Sequence, residues 1–384
     1  MKGIYLDHAS SMPVDPRVVE FAGPYLRGRF GNPSSLHSVG LEAKRALEEA
    51  REKVAGLINA EKPESIIFTS GATEANNLAI KGTALRNASK GKKVVASTIE
   101  HISVLNPMKE LQKGGFQFDL VPVDSTGIVD LERLSDLLTA DTLVTSVMLA
   151  NSEIGTIEPI REVAQVVHEK SLYLHCDATA AAGRIPIDVQ TAGIDLLTLS
   201  SNGLAAPPGA GVLYIRSGVR LQPILPGGGQ ERGLRSGKEN LFAIVGMGEA
   251  ARIAQAEMGE ESRRLEGIRD KLIEGILKIE EAYLTGHPTK RLPQQASFRF
   301  SRIEGESILL NMDMRHNIQV STGSACSSKT LEPSHVLLAI GLKHEEAHGS
   351  MVLSLGRSNK LEEVPIIVEA VGETVERLRR MSAL

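Results

Sequence analysis

The sequence predicts an α/β fold built around a largely parallel, buried β-sheet. From about Lys44 to Arg216, short runs rich in Val, Ile, Leu and Thr alternate with segments of helical pattern. Such runs are typical of strands covered on both faces, and the helical segments supply the crossovers that parallel strands require. Ligands of these sheets bind at the carboxyl ends of the strands. Residues that directly follow the apolar runs are therefore the first candidates for a functional site.

Each element of this domain is predicted from its own sequence signal. The first helix, residues 41–60, has the spacing of an amphipathic helix. Its apolar face consists of Ala46, Leu47, Ala50, Val54 and Leu57. Two further helices are predicted at residues 130–139 and 160–170. Seven apolar runs predict the strands, at residues 65–69, 93–98, 117–123, 142–150, 172–177, 196–200 and 211–216.

The rest of the chain predicts a second, smaller α+β domain. Residues 241–283 have the pattern of one long helix, first rich in alanine and then charged, that links the two domains. The elements predicted after it are a strand at 295–300, a helix from Gly305, a Ser/Gly-rich loop at 321–328 and helices to the end. We therefore predict a large domain of residues 15–259, and a small domain formed by residues 1–14 and 260–384.

Composition narrows the classes of function. The net charge is −4 with both signs spread along the chain, and there is no tryptophan and only 3% aromatic residues, so nucleic acid is not an expected partner. No apolar run approaches the roughly 20 residues of a membrane helix, and the N-terminus has no signal-peptide pattern. The two cysteines, Cys176 and Cys326, form no CxxC pair, which suits a reducing compartment. We predict a cytoplasmic protein without a membrane partner.

The segment that begins at Gly71 follows a predicted strand and opens a helix with small residues. Free N–H groups and the helix dipole at such a terminus favour an anion, so Ala72 and Thr73 are candidate phosphate-binding residues. An ordinary helix capped by Thr73 has the same local pattern. The segment alone leaves both interpretations open.

Two other residues end or follow apolar runs. Asp177 could pair with the ring nitrogen of a heteroaromatic cofactor and keep it protonated, or it could cap a helix. His101 could stack on a flat cofactor, act as an acid or base, or satisfy a buried hydrogen-bond network. Local sequence does not choose among these roles.

Cys326 lies in the segment Ser321-Thr-Gly-Ser-Ala-Cys-Ser-Ser328. A thiol among small polar residues is accessible, as sulfur transfer requires, although no adjacent cation lowers its pKa and Lys329 is three residues away. An incidental cysteine in a Ser-rich loop fits the composition equally well.

Segments in order along nearly the whole chain resemble the IscS/NifS group of cysteine desulfurases. Among them are Tyr5-Leu-Asp-His-Ala, Phe68-Thr-Ser-Gly-Ala-Thr-Glu-Ala-Asn-Asn and Thr322-Gly-Ser-Ala-Cys. The others are residues 30–37, 100–101, 151–156, 177–179, 227–237 and 332–337. The resemblance implies the fold-type I architecture of enzymes that use pyridoxal phosphate (PLP), with a mostly parallel seven-stranded sheet, a homodimer with active sites at the interface, and an IscU-type scaffold protein as partner.

The resemblance also implies roles for individual residues. It makes Ala72, Thr73 and Ser200 phosphate-binding positions, and His101 the histidine that stacks on the PLP ring. It makes Asp177 the partner of the ring nitrogen. Cys326 becomes the cysteine that carries persulfide.

Several positions depart from the family pattern in residues 195–216 and elsewhere. Gly203 stands where the family has the lysine that binds PLP, and only a primary amine can form that Schiff base. The other replacements are Asn202 for a phosphate-binding histidine, Ser152 for an asparagine, Ala180 for a glutamine near the PLP ring oxygen, Lys238 for a threonine that reaches the neighbouring subunit's phosphate, and Val352 for the arginine that binds the substrate carboxylate.

The Cys326 loop, by contrast, keeps the family pattern. Our main hypothesis follows from this contrast. We predict a PLP-independent relative of cysteine desulfurase that docks an IscU-type scaffold during iron–sulfur cluster assembly. Cys326 would act there as a sulfur acceptor or as a ligand of a shared 2Fe-2S cluster. The alternatives are an active desulfurase that binds PLP non-covalently or through another lysine, such as Lys238, and a structural partner in which Cys326 has no role.

Overall fold

The computed structural model describes residues 3–323 and 333–382. Within them the helices are α1 Pro16–Ala22, α2 Ser38–Leu57, α3 Ala72–Arg86, α4 Ile102–Lys113, α5 Leu131–Leu137, α6 Ile160–Glu169, α7 Leu241–Ile276, α8 Gly305–His316, α9 His335–Ala339, α10 His344–His348 and α11 Val364–Ser382. The strands are β1 Ile4–Tyr5, β2 Ile66–Thr69, β3 Lys93–Ser97, β4 Gln117–Val121, β5 Thr142–Ser146, β6 Tyr173–Asp177, β7 Leu196–Ser200, β8 Gly211–Ile215, β9 Ala282–Leu284, β10 Gln295–Phe300, β11 Ile318–Gln319 and β12 Ser350–Ser354.

A seven-stranded sheet forms the centre of the larger part of the molecule. Its strand order is β2-β8-β7-β6-β5-β3-β4, and every pairing is parallel except those of β8, which runs antiparallel to both neighbours. All seven predicted runs contain one of these strands, which confirms the predicted α/β class. Because the parallel strands point the same way, the segments that follow β2, β3, β5, β6 and β7 meet at one edge of the sheet.

Apolar burial divides between two main cores. The larger core lies between the seven-stranded sheet and helices that include α2, and the predicted apolar face of α2 is buried in it. The second core packs α8, α11 and the sheet β12-β10-β9, and Leu6 of the N-terminal segment belongs to it. Helix α7 reaches both cores over a length of about 54 Å. The division of the chain at residues 259 and 260 falls inside this helix and stays a prediction.

Two expectations for the C-terminal part were wrong. The long helix ends at Ile276 instead of continuing to Tyr283, which lies in β9 and pairs with Arg299. Residues 350–354 form β12 instead of a helix, because each of them is buried against β10 in a register from Ser350–Arg299 to Ser354–Gln295. In both cases sheet pairing outweighs a local pattern that also fits a helix.

Among the residues described, no helix is both long and apolar enough to cross a membrane.

Candidate functional site

A cavity of about 660 Å³ lies at the carboxyl edge of the parallel strands. Its walls come from the segments after β2, β3, β5, β6 and β7, together with residues of the N-terminal segment and of the C-terminal part. Seven of the predicted site residues line it: Ala72, Thr73, His101, Ser152, Asp177, Ala180 and Asn202. Ser200 ends β7 and Lys238 lies on the surface, and neither lines the cavity. Cys326 lies outside the described residues.

The N-terminus of α3 borders the cavity and is the candidate site for a phosphate group. The helix begins at Ala72 with Gly71 as its N-cap, and no side chain caps the first turn. The alternative of a helix capped by Thr73 therefore does not apply. Backbone N–H groups of an uncapped first turn remain available to an anion.

Asp177 is connected to His101 by a chain of short hydrogen bonds. Asn76 Nδ2 donates to Asp177 Oδ2 at 2.8 Å and to Ser103 Oγ at 2.8 Å. Ser103 Oγ lies 2.7 Å from His101 Nδ1, and the backbone N–H of Ser103 donates to the same nitrogen at 3.1 Å. Nδ1 is therefore the unprotonated ring nitrogen, and His101 is also the N-cap of α4. The chain fixes the orientation of a carboxylate and an imidazole on the cavity wall.

Asn76 and Ser103 were missed from the sequence, although a signal for Asn76 exists. It lies in α3 between Ala75 and Leu78, two buried apolar residues, and is itself fully buried. A polar side chain inside an apolar helix face needs a partner, and it indicates a hydrogen-bond network. Its partner Asp177 is 101 residues away in sequence, so only the fold identifies it.

Two buried carboxyl groups border the same cavity. Burial raises the pKa of Glu100 to about 8, although Met148 N–H, Ser146 and Ser97 hydrogen-bond to it. Burial also raises the pKa of Glu153 to about 7. Ser334 Oγ donates to Glu153 Oε2 at 2.7 Å, while Oε1 is shielded from solvent and has no hydrogen-bond partner among the described residues. Neutral carboxyl groups here can hold or move a proton near neutral pH.

The replaced positions make contacts of their own. Asn202 Oδ1 accepts from the backbone N–H of Met12 at 3.3 Å, and its Nδ2 donates to Ser10 O at 3.5 Å. The carbonyl oxygen of Ala180 accepts from Gln294 Nε2 at 3.2 Å, and that of Ser152 accepts from Gln295 Nε2 at 2.5 Å. The Asn202 amide thus binds the N-terminal segment over the cavity.

No described residue supplies a lysine to the cavity. A Cβ atom at Gly203 would lie only 2.6 Å from the carbonyl oxygen of Thr179, so backbone fills the space where a side chain would begin. Lys238 is exposed, and its Nζ donates to Gly31 O at 2.8 Å. Lys329 lies outside the described residues.

The described residues also contain no cluster of three or more His, Cys, Asp or Glu side chains placed to hold a metal ion.

Comparisons with known proteins identify the family of the chain. The model of the class-V aminotransferase family matches residues 4–367, and the chain belongs to this family. Its relatives include a protein named cysteine desulfurase IscS 1 from Archaeoglobus fulgidus, 57% identical over 380 residues, with 99% of both chains covered. A cysteine desulfurase IscS from Methanosarcina thermophila is 48% identical over 383 residues, covering 100% of this chain and 94% of that one. A solved NifS-like protein superposes with a TM-score of 0.91 at 36% identity, covering 98% of this chain and 100% of that chain.

PLP is the cofactor expected of this family, and the cavity fits it only in part. The Asp177–Asn76–Ser103–His101 chain suits a flat nitrogen-containing ring, and the start of α3 suits a phosphate. The covalent link does not fit, because position 203 is glycine and the described lining holds no amine.

The contact at Gly203 gives a first testable prediction. Gly203→Ala is expected to lower the free energy of unfolding by about 1–3 kcal/mol, because the new methyl group would press on the Thr179 carbonyl oxygen. Gly267→Ala is the matched control: it lies in α7 with open space around its Cβ position, and it should gain about 0.5–1 kcal/mol. Urea denaturation measures both. An unchanged midpoint for Gly203→Ala would contradict the close approach.

Proposed function

We propose that this chain is a cysteine desulfurase homologue that serves iron–sulfur cluster assembly without a covalent PLP step. It docks an IscU-type scaffold protein and presents Cys326 to it. The observation that carries the proposal is a cavity whose described lining contains no lysine, in a chain that keeps the Cys326 segment. The names of its relatives, cysteine desulfurase IscS, supply the link to sulfur chemistry.

Cys326 has two roles in this proposal. As a sulfur acceptor, its thiolate attacks the outer sulfur of a persulfide donor; the donor's S–S bond breaks, its thiolate leaves, and the outer sulfur remains on Cys326. As a ligand, the thiolate fills one position of a 2Fe-2S cluster, which takes four cysteine-type ligands in all. The scaffold supplies the remaining ligands, because the described residues offer no metal-binding cluster.

The proposal includes a homodimer. Large apolar side chains are exposed along one part of the chain: Val19, Phe21, Leu26, Phe30, Leu36, Val39 and Leu41. A concentration of this kind supports a protein–protein contact. Lys238 donates to Gly31 O within the same part, which supports its predicted place beside a neighbouring subunit. We further propose that the protein works in the cytoplasm, where Cys176, a buried free cysteine, and Cys326 stay reduced.

The alternative function is an active desulfurase that holds PLP without the usual lysine. The intact hydrogen-bond chain from Asp177 to His101 favours it, since that chain suits the ring of the cofactor. The orientation of Lys238 toward Gly31 of its own chain argues against this lysine as the replacement amine.

The test of the proposal is cluster formation on an IscU-type scaffold, followed by the visible absorbance of the cluster. Cys326→Ser is expected to reduce assembly to the level of the scaffold alone, because serine neither carries persulfide nor replaces a thiolate ligand. Cys176→Ala is the matched control, since this second thiol is fully buried and burial raises its pKa, so it should leave assembly unchanged. Normal cluster assembly with the Cys326→Ser variant would contradict the proposal and favour a structural partner in which Cys326 has no role.

The same protein preparations distinguish this proposal from the alternative of an active desulfurase. With L-cysteine and excess PLP, sulfide release should not exceed that of free PLP. Clear turnover, with a PLP-modified lysine found by borohydride trapping and peptide mass analysis, would establish the active desulfurase instead.

A further inference from the structure

The carboxyl group of Glu153 contacts the chain on both sides of residues 324–332, the part that contains Cys326. On one side, a Cβ atom at Gly323 would overlap Glu153 Oε1 and Cδ, so the carboxyl group fills the space where a side chain would begin. On the other side, Ser334 Oγ donates to Glu153 Oε2 at 2.7 Å. We call residues 321–323 the leading flank and residues 334–336 the trailing flank.

Glu153 is itself held by the loop after β5 and by β10. Its backbone N–H donates to Asn151 Oδ1 at 2.8 Å, and Asn151 Nδ2 donates to Ile99 O at 3.1 Å. Gln295 Nε2, from β10, donates to Glu153 O at 3.2 Å. Because the backbone of Glu153 is tied to two other segments, its carboxyl group can act as a fixed point for both flanks.

The leading flank leaves β12 and meets Glu153 at a glycine. Ser321 N–H donates to Val352 O at 3.1 Å, and Val352 N–H donates to Ser321 O at 2.8 Å. At position 323 the backbone approaches the carboxyl group so closely that any Cβ atom would collide with it, and only glycine avoids this. The contact with Glu153 thus explains the glycine at this position.

The trailing flank begins α9, and its first turn involves the same carboxyl group. Ser334 is the N-cap of this helix, and its Oγ accepts from Val336 N–H at 3.1 Å. The hydroxyl group has one proton, which it donates to Glu153, so both of its hydrogen bonds fix its orientation. Helix α9 in turn packs Val336 and Leu337 into a small apolar cluster with Ile99. Loss of the Glu153 carboxyl group would therefore loosen the start of α9.

We propose that Glu153 is the positioning residue for Cys326, because its carboxyl group fixes the leading and the trailing flank against the loop after β5. This inference deepens the proposed function and rests on it for the role of Cys326. Flanks held at one fixed point reduce the conformational freedom that must be lost when a partner binds. Glu153 acts through the flanks and does not take part in the sulfur chemistry itself.

Amide hydrogen exchange of the purified full-length protein, followed by mass spectrometry, tests the contact. Peptides that contain the Ser321 and Val336 amides report the leading and the trailing flank, since both N–H groups are hydrogen-bonded. Glu153→Ala should raise exchange in both peptides about tenfold, the effect of losing one hydrogen bond. Glu153→Gln keeps the shape and an acceptor for Ser334, so it should exchange like the parent. Glu345→Ala removes an exposed carboxylate of α10 and is the control that should change neither peptide.

Gly323→Ala tests the other side of the contact in a double-mutant cycle. Alone, the new methyl group collides with the Glu153 carboxyl group and should raise exchange in the leading-flank peptide. In the Glu153→Ala background that space is open, so Gly323→Ala should add little. Additive effects of the two changes would overturn the proposal. Release of only one flank, or of neither, in Glu153→Ala would overturn it as well.

Folding is monitored in the same experiment. Peptides from β6, a strand of the larger core, should keep the exchange of the parent in every variant. If Glu153→Ala loses this protection too, the variant has unfolded as a whole, and Glu153→Asp replaces it. Aspartate keeps the carboxyl group but is one methylene shorter, so it should release both flanks in the same way, and unchanged flanks in Glu153→Asp would then contradict the proposal.

Cluster assembly on the IscU-type scaffold connects the flanks to Cys326. Glu153→Ala should lower the assembly rate about threefold or more, and the conservative Glu153→Gln should restore it. Unchanged assembly by a Glu153→Ala variant with released flanks, while Cys326→Ser abolishes assembly, would overturn the positioning role. Normal assembly by Cys326→Ser would instead remove the proposed function, and the exchange data alone would then decide whether Glu153 holds both flanks. The inference and the proposed function therefore fail by different measurements.

Discussion

Glu231→Ala is expected to lower the free energy of unfolding by about 3 kcal/mol, because it removes the buried carboxylate of the Arg51 ion pair and leaves only Glu48, a half-exposed partner whose Oε2 lies 3.0 Å from Arg51 Nε. Arg51 lies in α2 and is 7% exposed. Its Nη1 and Nη2 donate to the two carboxylate oxygens of Glu231, both at 2.8 Å. This two-bond geometry is the strongest form of an arginine–carboxylate pair.

The Glu231 carboxylate also accepts a hydrogen bond from the backbone of strand β2. Phe68 N–H in β2 donates to Glu231 Oε2 at 2.7 Å, and Arg51 also donates to Ile66 O at 2.8 Å. Glu231 itself has a φ of +46°, a left-handed conformation that is costly for a residue other than glycine. The ion pair therefore stabilises a strained turn and joins it to β2, the strand that leads to Ala72 and Thr73 at the cavity.

Chemical denaturation of the full chain measures this effect. Glu274→Ala is the control, since its ion pair with Lys278 is exposed on both sides and screened by solvent, so its loss should leave the unfolding midpoint nearly unchanged. Replacing both buried partners by apolar residues, as in Arg51→Met with Glu231→Leu, should recover only part of the lost stability, because the unpaired charge is gone but the buried Phe68 N–H still lacks its acceptor. A loss below about 1 kcal/mol for Glu231→Ala would show that the pair carries little net energy.

The sheet could be predicted from the sequence because its strands are short apolar runs, and the buried face of α2 follows from helical spacing alone. The direction of β8 could not be predicted in this way. Its run has the same composition as its parallel neighbours, and only its pairing with β2 and β7 defines it as antiparallel. Strand β12 was missed because its pattern also fits a helix, and β10 decides between them.

Positions directly after strands were predictable as part of the site, whereas their supporting contacts were not. Asp177 ends an apolar run, His101 follows another, and both line the cavity. Asn76 joins them across the fold, and Arg184 reaches the cavity from the segment after β6. The surroundings of Asn76 and Arg184 are set by residues far away in sequence. The local sequence therefore gives little indication that either side chain belongs to the site.

The free energy of unfolding is also expected to fall as the pH rises from 6.5 to 8. Burial raises the pKa of both Glu100 and Glu158 from 4.5 to about 8. Through most of this range the folded protein keeps both protons, while the unfolded chain has lost them. The unfolded state then binds fewer protons, and stability declines by up to about 1.4 kcal/mol per pH unit for each group, falling to about half of that slope near pH 8, where each group is half ionised in the folded protein.

Other buried groups set the limits of this window. The pKa values of His8 and His175 are lowered to about 4, chiefly by burial. Between pH 4 and 6.5 the unfolded chain therefore binds protons that these histidines lack in the fold, and stability rises with pH from this cause. Glu153, with a pKa of about 7, acts in the same direction as Glu100 and Glu158 up to that pH. The decline is thus cleanest above pH 6.5.

Glu158→Gln separates the carboxyl contribution from all others. Glutamine has the shape of the protonated side chain and can still accept the Val129 N–H bond that Glu158 Oε2 accepts at 3.0 Å, but it never ionises. Urea denaturation at pH 6.5, 7.25 and 8, roughly even steps across this window, gives the slope of the free energy of unfolding against pH. The slope for Glu158→Gln should be about half that of the parent. Glu274→Gln, on the exposed face of α7, should keep the parent slope. Because Glu100 contributes to the raised pKa of Glu158, the two protons are coupled, and the remaining slope should move to lower pH in the variant. Equal slopes for the parent and Glu158→Gln would mean that this carboxyl is already ionised in the folded protein.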